Sequence, residues 1–382
     1  MQSRIQQIFS YGWHDFCQFF QPSGVQQKAA HSIMQCKSGA LGCNISICGE
    51  CGHQEFHNNS CRNRNCPNCQ AILKEVWGDA RKSEVIDTSY FHVVFTVPAE
   101  LNPLFYANQK PLYSLLHRCA SETLLELAAD RKYLGATPGI IQVLHTWGQT
   151  LNYHPHIHCI VTGGGLTKDR KLRKSGNGFF IPVKVLGRKF RGKFLAYLQK
   201  MAVSQELLFS KSCGKLRNSY AWSEFRDSLY HKDWCPYIKE TFNGFGNAIE
   251  YLGRYTHRIA ITNSRIQNVS PTHVSFSARD YKSGETTTIT IENKEFIRRL
   301  MMHVLPHGFQ KIRYYGFLNN RCKKENLKVI ARIQGHLRFS SLLTGKNIGE
   351  VLNLVWGYDI RTCPCCGCCS MRHAGRTFAI LN

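Results

Sequence analysis

Two histidines separated by one residue, His156 and His158, are side chains whose type and spacing could do chemistry. They lie in the run His-Pro-His-Ile-His-Cys-Ile-Val-Thr at residues 154–162. Successive side chains of a strand point to opposite faces, so both imidazoles would share one face while Ile157 faces a core. Neutral imidazole nitrogens bind divalent metals, and the pair predicts part of a metal site. Histidines on one strand face are also common as ordinary surface or core residues, so the neighbouring segments decide the interpretation.

The stretch at residues 140–147, Ile-Ile-Gln-Val-Leu-His-Thr-Trp, predicts a second strand that pairs with the histidine strand as a hairpin. His145 and Gln149 have the same parity along this stretch, so either could supply a third metal ligand. A hydrogen-bonded strand histidine is the alternative interpretation of His145. The sequence leaves the third ligand open between these two residues.

Two tyrosines and two arginines lie close together in the run Tyr-Leu-Gly-Arg-Tyr-Thr-His-Arg at residues 251–258. If this segment is helical, Tyr251 and Tyr255 are four residues apart and share a face. Arg254 and Arg258 would share an adjacent stripe in the same way. Phenols can act as nucleophiles and guanidinium groups bind phosphates. The alternative is that the tyrosines pack as the apolar side of an amphipathic helix.

A cysteine-rich block near the N-terminus contains two C-x-x-C pairs, Cys48 with Cys51 and Cys66 with Cys69, with fourteen residues between the inner cysteines. This spacing is typical of a structural Zn²⁺ site with four thiolate ligands. Scattered reduced cysteines are the alternative. Further candidates could replace one ligand or build a second site: Cys36, Cys43, His53, His57 and Cys61. Arg62 and Arg64 are interleaved here and are predicted to contact the DNA backbone.

A second cluster, Cys-Pro-Cys-Cys-Gly-Cys-Cys at residues 363–369, lies near the C-terminus. Cys363 and Cys366 have the same C-x-x-C spacing, but no second pair lies nearby. A metal there would need ligands from elsewhere in the fold or from another chain.

The composition favours a polyanionic partner. Lys and Arg number 49 against 25 Asp and Glu, a formal net charge of +24, and nucleic acid is the natural candidate. An anionic membrane surface is less favoured, because the sequence has no long basic amphipathic helix, lipid-anchor motif or membrane-spanning run. Without a secretory signal, the 18 cysteines indicate reduced, partly metal-binding thiols and a cytoplasmic protein. No Walker motif is present, so no nucleotide cofactor is expected.

The predicted fold is α+β, with a largely antiparallel sheet and flanking helices. Residues 91–97 read as a buried strand that ends at Pro98, and the glycines at 163–165 read as the turn that closes the histidine strand. We predict a zinc module at 1–89, a catalytic domain with the tyrosine helix at 90–300, and a basic, cysteine-rich C-terminal region at 301–382.

Taken together, these motifs resemble the HUH superfamily of single-strand nucleases, and more closely the two-tyrosine rolling-circle transposases of bacterial insertion sequences. The resemblance rests on the runs at 144–149, 154–159 and 251–255 and on the cysteine block with Ser-Cys-Arg-Asn-Arg at 60–64. The order of the motifs matches as well, and the likeness extends over nearly the whole chain. It implies an HUH-type catalytic domain behind a zinc-binding, DNA-binding module.

The resemblance also implies a mechanism. Mg²⁺ or Mn²⁺ held by His156, His158 and a third ligand would neutralise and orient the scissile phosphate. Tyr251 would attack it to give a 5′-phosphotyrosine and a free 3′ hydroxyl. Tyr255 would allow a second strand to be cleaved while the first stays attached, and the sequence does not show which of the two tyrosines attacks first. The expected partners are single-stranded DNA at the ends of a mobile element and its target DNA, with host replication proteins as further candidates.

Two other functions compete with this interpretation. A plasmid-type replication initiator or relaxase of the same superfamily would use identical chemistry on different DNA. A zinc-dependent DNA-binding protein without catalysis would not need Tyr251 or Tyr255 at all. The zinc block and the tyrosine spacing favour the transposase.

Overall fold

The fold is taken from a computed structural model that describes residues 2–176, 181–234, 236–241, 260–280, 283–335 and 340–378. Within these ranges the chain forms an α+β fold in which antiparallel sheets are flanked by helices, which confirms the predicted class. The predicted tyrosine helix falls outside the described residues.

The N-terminal part of the chain is helical at first. Ser23 begins the second helix: its hydroxyl accepts a hydrogen bond from the Gln26 amide, and the Gln26 side chain accepts one from the Ser23 amide. This reciprocal cap satisfies two amides that a helix leaves unpaired. The elements are α1 (Arg4–Phe19), α2 (Gly24–Gln35), β1 (Cys43–Cys48), β2 (Gln54–Asn58) and α3 (Ala71–Lys82).

The middle of the chain supplies most of the largest sheet. Its first strand ends at Thr96, two residues before Pro98, which agrees with the predicted strand because proline cannot donate to a sheet. The elements are β3 (Tyr90–Thr96), α4 (Asn102–Ala107), α5 (Gln109–Ala129), β4 (Thr137–Trp147), β5 (Tyr153–Leu166), β6 (Leu172–Lys174), α6 (Val183–Val203), α7 (Ser219–His231) and β7 (Tyr237–Thr241).

The rest of the chain begins with three strands that are followed by a helix. The elements are β8 (Ile266–Val269), β9 (His273–Arg279), β10 (Thr286–Glu292), α8 (Asn293–Met301), β11 (Ile312–Gly316), α9 (Lys323–Gln334), α10 (Ile348–Trp356) and β12 (Met371–Arg376). No helix among the described residues is long and apolar enough to cross a lipid bilayer.

The largest sheet has the strand order β11-β4-β5-β3-β7, with β6 paired to β5, and these described strands pair in antiparallel fashion. One face packs on α5 and α6 around Phe95, Ile157 and Phe190, all fully buried. Burial of such a side chain contributes about 1.5–3 kcal/mol. Strand alternation places His156 and His158 on the opposite face, away from this core.

The three glycines at 163–165 lie inside β5, which corrects the prediction that they form a turn. A Cβ at Gly163 would lie 2.2 Å from the Ser89 hydroxyl, and one at Gly165 would lie 2.6 Å from the Thr137 carbonyl. The glycines therefore allow close approach of neighbouring chain segments rather than a change of direction.

Two smaller sheets complete the fold. The strands β8, β9 and β10 form one, and α1 packs with α8 beside it around a second core. In the other, β1 pairs with both β2 and β12. The strands of residues 301–382 are thus divided between two sheets: β11 joins the largest sheet, and β12 joins the N-terminal one. The predicted boundary at residue 300 does not separate two sheets.

Candidate metal centres

The β4–β5 hairpin brings His145, His156 and His158 together on one face of the largest sheet. The strand register places His145 opposite His156, and one ring nitrogen from each histidine lies within 4.8 Å of the other two. The Nε2 atoms of His156 and His158 are 3.1 Å apart. Ligands bonded at ~2.1 Å to one octahedral ion lie at about this separation. The predicted histidine pair therefore forms one group with His145, which was one of the two candidates for the third ligand.

Hydrogen bonds orient two of these rings. The Nδ1 of His156 donates to the His154 carbonyl at 2.7 Å, which leaves its Nε2 lone pair facing the group. The Nδ1 of His158 lies 2.8 Å from Nε2 of His92 on β3. Hydrogen bonds of this kind to the second ring nitrogen fix the orientation of metal-binding histidines.

Burial keeps two rings at the site, those of His156 and His92, neutral at pH 7. Burial lowers the pKa of His156 to about 3, and burial together with the charge of Lys239 lowers the pKa of His92 to about 4. A ring that is neutral at pH 7 has a lone pair available for a metal. A divalent ion held by neutral rings would retain its full charge, which suits binding of a phosphate.

Aromatic and basic side chains border the histidines. The ring of His145 stacks on Trp147, with centroids 4.6 Å apart, and the Lys311 ammonium lies 5.2 Å from the Trp147 ring centroid. Burial, with a smaller contribution from the charge of Arg64, lowers the pKa of Lys311 to about 7. Lys311 and His92 were not among the predicted site residues. Strand alternation could have indicated His92 as a neighbour of the site. Its strand β3 pairs with β5, and its side chain points to the same face of the sheet as His156 and His158.

The cysteines form two groups, and these groups differ from the predicted one. The structure does not bring together the predicted quartet, Cys48, Cys51, Cys66 and Cys69. One group contains the second pair with two other cysteines from the N-terminal part: Cys36, Cys61, Cys66 and Cys69. The other contains the first pair with two cysteines near the C-terminus: Cys48, Cys51, Cys363 and Cys366. In each group the four sulfur atoms all lie within 4.8 Å of one another.

The hairpin β1–β2 explains the division. Cys48 and Cys51 lie at its turn, whereas Cys36 precedes β1 and Cys61 follows β2 at the open end. Five residues of β2 run between these ends, a distance of ~16 Å at about 3.3 Å per residue. The C-x-x-C spacing was read correctly, but the pairing of the two motifs was wrong because the intervening strand holds them apart.

Comparisons with known proteins match two segments of the chain to described families. Residues 139–326 match a family described as "Putative transposase", and residues 8–97 match one described as "Transposase zinc-binding domain". The chain is 39% identical over 348 residues to "Putative transposase y4qJ" of Sinorhizobium fredii, covering 90% of this chain and 87% of that protein. The chain belongs to this transposase family. The "Transposase for insertion sequence element IS801" of Pseudomonas savastanoi is 28% identical, with 78% and 71% covered. No solved structure matches.

The matched segments of the transposase contain most of the predicted site. The histidines lie in the segment that matches "Putative transposase": His145, His156 and His158. The segment that matches the zinc-binding domain contains one cysteine group: Cys36, Cys61, Cys66 and Cys69. Cys363 and Cys366 lie beyond both segments. The residues predicted to form the tyrosine helix also fall in the first segment but outside the described residues: Tyr251, Arg254, Tyr255 and Arg258.

Three other predicted residues occupy different settings. Gln149 follows β4, and its backbone carbonyl accepts a hydrogen bond from Arg265. Arg64 donates to the carbonyls of Leu305, Pro306 and Phe309, so its guanidinium joins the zinc module to the loop before β11. Arg64 is nonetheless exposed, so its predicted contact with DNA stays a prediction. Arg62 is exposed.

Proposed function

We propose that this transposase cleaves and rejoins single-stranded DNA through a 5′-phosphotyrosine intermediate, with a divalent metal at the three-histidine group. The observation that carries the proposal is the convergence of His145, His156 and His158 within 4.8 Å. The likeness to an insertion-sequence transposase supports DNA ends of a mobile element as the substrate. The formal charge of +24 supports binding to the phosphate backbone.

The donor set suits a divalent ion, with His145 as the third ligand in preference to Gln149. Such an ion would supply positive charge and orientation to the scissile phosphate. Imidazole nitrogens suit transition metals better than Mg²⁺, which prefers oxygen ligands. Of the two expected metals, we therefore favour Mn²⁺ for this all-nitrogen set.

The chain's own groups then carry the transfer. The Tyr251 oxygen attacks phosphorus as its proton is lost, an O–P bond forms, and the 3′ oxygen leaves and becomes a hydroxyl. The phenol has an ordinary pKa of about 10, so nearby positive charge must favour its ionisation. The phosphotyrosine keeps the energy of the broken bond, so a 3′ hydroxyl can reverse the reaction. Tyr255 would hold a second strand in the same way.

The N-terminal cysteines have a structural role in this proposal. Cys36, Cys61, Cys66 and Cys69 would bind one Zn²⁺ in the matched zinc-binding domain, and hydrogen bonds from Cys61 and Cys66 lower the pKa of Cys69. Four thiolates leave no open coordination position, so this zinc holds the fold and does no chemistry. Exposed Arg62 remains a proposed contact to DNA.

The test is the formation of a covalent protein–DNA adduct. Purified protein is mixed with single-stranded ends of its element and Mn²⁺ or Mg²⁺, and adducts are resolved on a denaturing gel. We expect an adduct that disappears in the Tyr251→Phe/Tyr255→Phe double variant and in His156→Ala. The control is His154→Ala, which keeps the backbone carbonyl that accepts the hydrogen bond from His156 Nδ1. DNA binding without an adduct under either metal would instead support the non-catalytic zinc protein.

A further inference from the structure

Two C-x-x-C pairs face each other where the two ends of the chain meet: Cys48 with Cys51, and Cys363 with Cys366. Both have the sequence Cys-x-x-Cys-Gly, and the two glycines, Gly52 and Gly367, have φ angles of 70° and 74°. The Gly52 amide donates to the Cys48 carbonyl at 3.1 Å, and the Gly367 amide donates to the Cys363 carbonyl at 2.9 Å. A positive φ is accessible to glycine at little steric cost. The chain therefore builds the same metal-binding turn twice, from opposite ends of the sequence.

Neighbouring groups are arranged around the sulfur atoms. The Cys365 amide donates to the Cys363 sulfur at 3.4 Å, and the Ser370 hydroxyl lies 3.0 Å from the Cys48 sulfur. The Gly49 amide donates to the Ser370 carbonyl at 3.1 Å, next to the first β1–β12 pair. Donors to sulfur stabilise the thiolate form, which is the form that binds a metal.

Apolar packing gives this region little support. Among the described residues, the core cluster that includes the two buried cysteines contains only Cys48, Cys363 and Met371. Burial of so few side chains does not offset the entropy of fixing the strand β12 and its loop. Small modules of this kind are commonly held together by a structural metal.

We propose that Cys48, Cys51, Cys363 and Cys366 bind a second structural Zn²⁺ that fastens the C-terminal segment to the N-terminal zinc module. Binding converts four thiols to thiolates and releases their protons to solvent, leaving a ZnS₄ centre with a net charge of −2. Half of its ligands lie outside the matched zinc-binding domain, which ends at residue 97. The site is independent of the DNA-cleavage chemistry, so neither proposal depends on the other.

Disulfide formation is the competing use of these cysteines. The sulfur atoms of Cys48 and Cys366 are 3.7 Å apart, and those of Cys51 and Cys363 are 3.6 Å apart. A disulfide needs ~2.05 Å, whereas two thiolates on one tetrahedral zinc with bonds of ~2.3 Å lie about 3.8 Å apart. The observed spacing therefore fits zinc ligands.

Zinc content of the full chain tests the proposal. Native mass spectrometry under reducing conditions should find two zinc ions in the wild type and one in Cys366→Ser. The matched controls Cys365→Ser and Cys368→Ser change exposed cysteines of the same loop outside the group, and both should keep two. Cys61→Ser should lose the other zinc. Two ions retained in Cys366→Ser, or a mapped disulfide between these pairs in the reduced protein, would overturn the proposal.

A second measurement distinguishes the loss of the second zinc from general misfolding. Hydrogen exchange in Cys366→Ser should rise in β12 and β1 and stay unchanged in β4 and β5, because the second zinc holds only the smaller sheet. Equal protection of β12 in Cys366→Ser and wild type would show that no metal is needed there.

Discussion

Two candidate metal centres differ in the sequence distance between their ligands. The histidine centre consists of His145, His156 and His158, and the Cys48 centre consists of Cys48, Cys51, Cys363 and Cys366. His145, His156 and His158 come from one hairpin with a short connection, whereas Cys48 and Cys363 are more than 300 residues apart. Closing a short loop costs little entropy, and strand pairing fixes the register of the histidines before any metal binds. The cysteine centre has no such local constraint. The difference indicates that one site is preorganised by the sheet, while the other itself organises the ends of the chain.

The largest expected loss of unfolding free energy comes from the cysteine groups, which differ in how deeply they are buried in the core. Cys66 is fully buried in the core formed by α1, α2 and α8, whereas Cys366 is exposed. Replacing Cys66 by serine removes a zinc and leaves buried thiols and a hydroxyl unpaired. We expect it to lower the free energy of unfolding by more than about 4 kcal/mol, and Cys366→Ser to lower it by about 2 kcal/mol or less. Urea denaturation followed by tryptophan fluorescence measures both.

The control for this comparison is Cys365→Ser, which should leave stability unchanged. Equal losses in Cys66→Ser and Cys366→Ser would break the contrast, since the exposed site would then be as strongly coupled to the main core as the buried one.

The histidine hairpin could be predicted from the sequence because its information is local. Residues 140–147 and 154–162 were predicted as paired strands, and the structure has Thr137–Trp147 and Tyr153–Leu166. Period-two alternation placed His156 and His158 on one face, and the short connection placed His145 beside them.

The rest depended on tertiary contacts that no local pattern contains. The pairing of Cys48 with Cys363 follows from the β1–β12 ladder, and the strand conformation of Gly163 follows from the closeness of Ser89. The carbonyl acceptors of Arg64, on Leu305, Pro306 and Phe309, could not be predicted because they lie far away in sequence.

The second prediction tests how far the sheet preorganises the histidine centre. Metal binding at Nε2 of His158 requires the ring proton on Nδ1, where His92 Nε2 accepts it at 2.8 Å. Replacing His92 by phenylalanine keeps a ring in the strand but removes this acceptor. We expect Mn²⁺ affinity to fall by about 10–100-fold, as measured by titration of the full chain loaded with zinc. His154→Phe is the control and should bind Mn²⁺ normally.

An unchanged affinity in His92→Phe would mean that the hairpin alone orients His158. In that case the contrast between the two kinds of centre becomes sharper, because the histidine site would need no support beyond its own strands.

The smallest effect comes from a buried histidine outside every metal group. The Nδ1 atom of His117, on α5, lies 2.9 Å from the Gln142 side chain. The Nε2 atom of the same ring is buried without a hydrogen-bond partner among the described residues. Burial, followed by the charge of Arg313, lowers its pKa from 6.5 to about 3. At neutral pH the ring is uncharged in both folded and unfolded protein. Between these two pKa values only the unfolded chain takes up the proton, so stability falls by about 1.4 kcal/mol per pH unit.

This titration distinguishes a histidine that is merely buried from the histidines of the metal group. In His117→Gln, the loss of unfolding free energy between pH 7 and pH 5 should be about 2 kcal/mol smaller than in wild type, as measured by urea denaturation at each pH. Acid release of zinc occurs in both proteins and cancels in the difference. The exposed His231→Gln variant serves as the control. If His117→Gln keeps the wild-type pH profile, the His117 ring takes up a proton in the folded protein, and burial does not hold its pKa low.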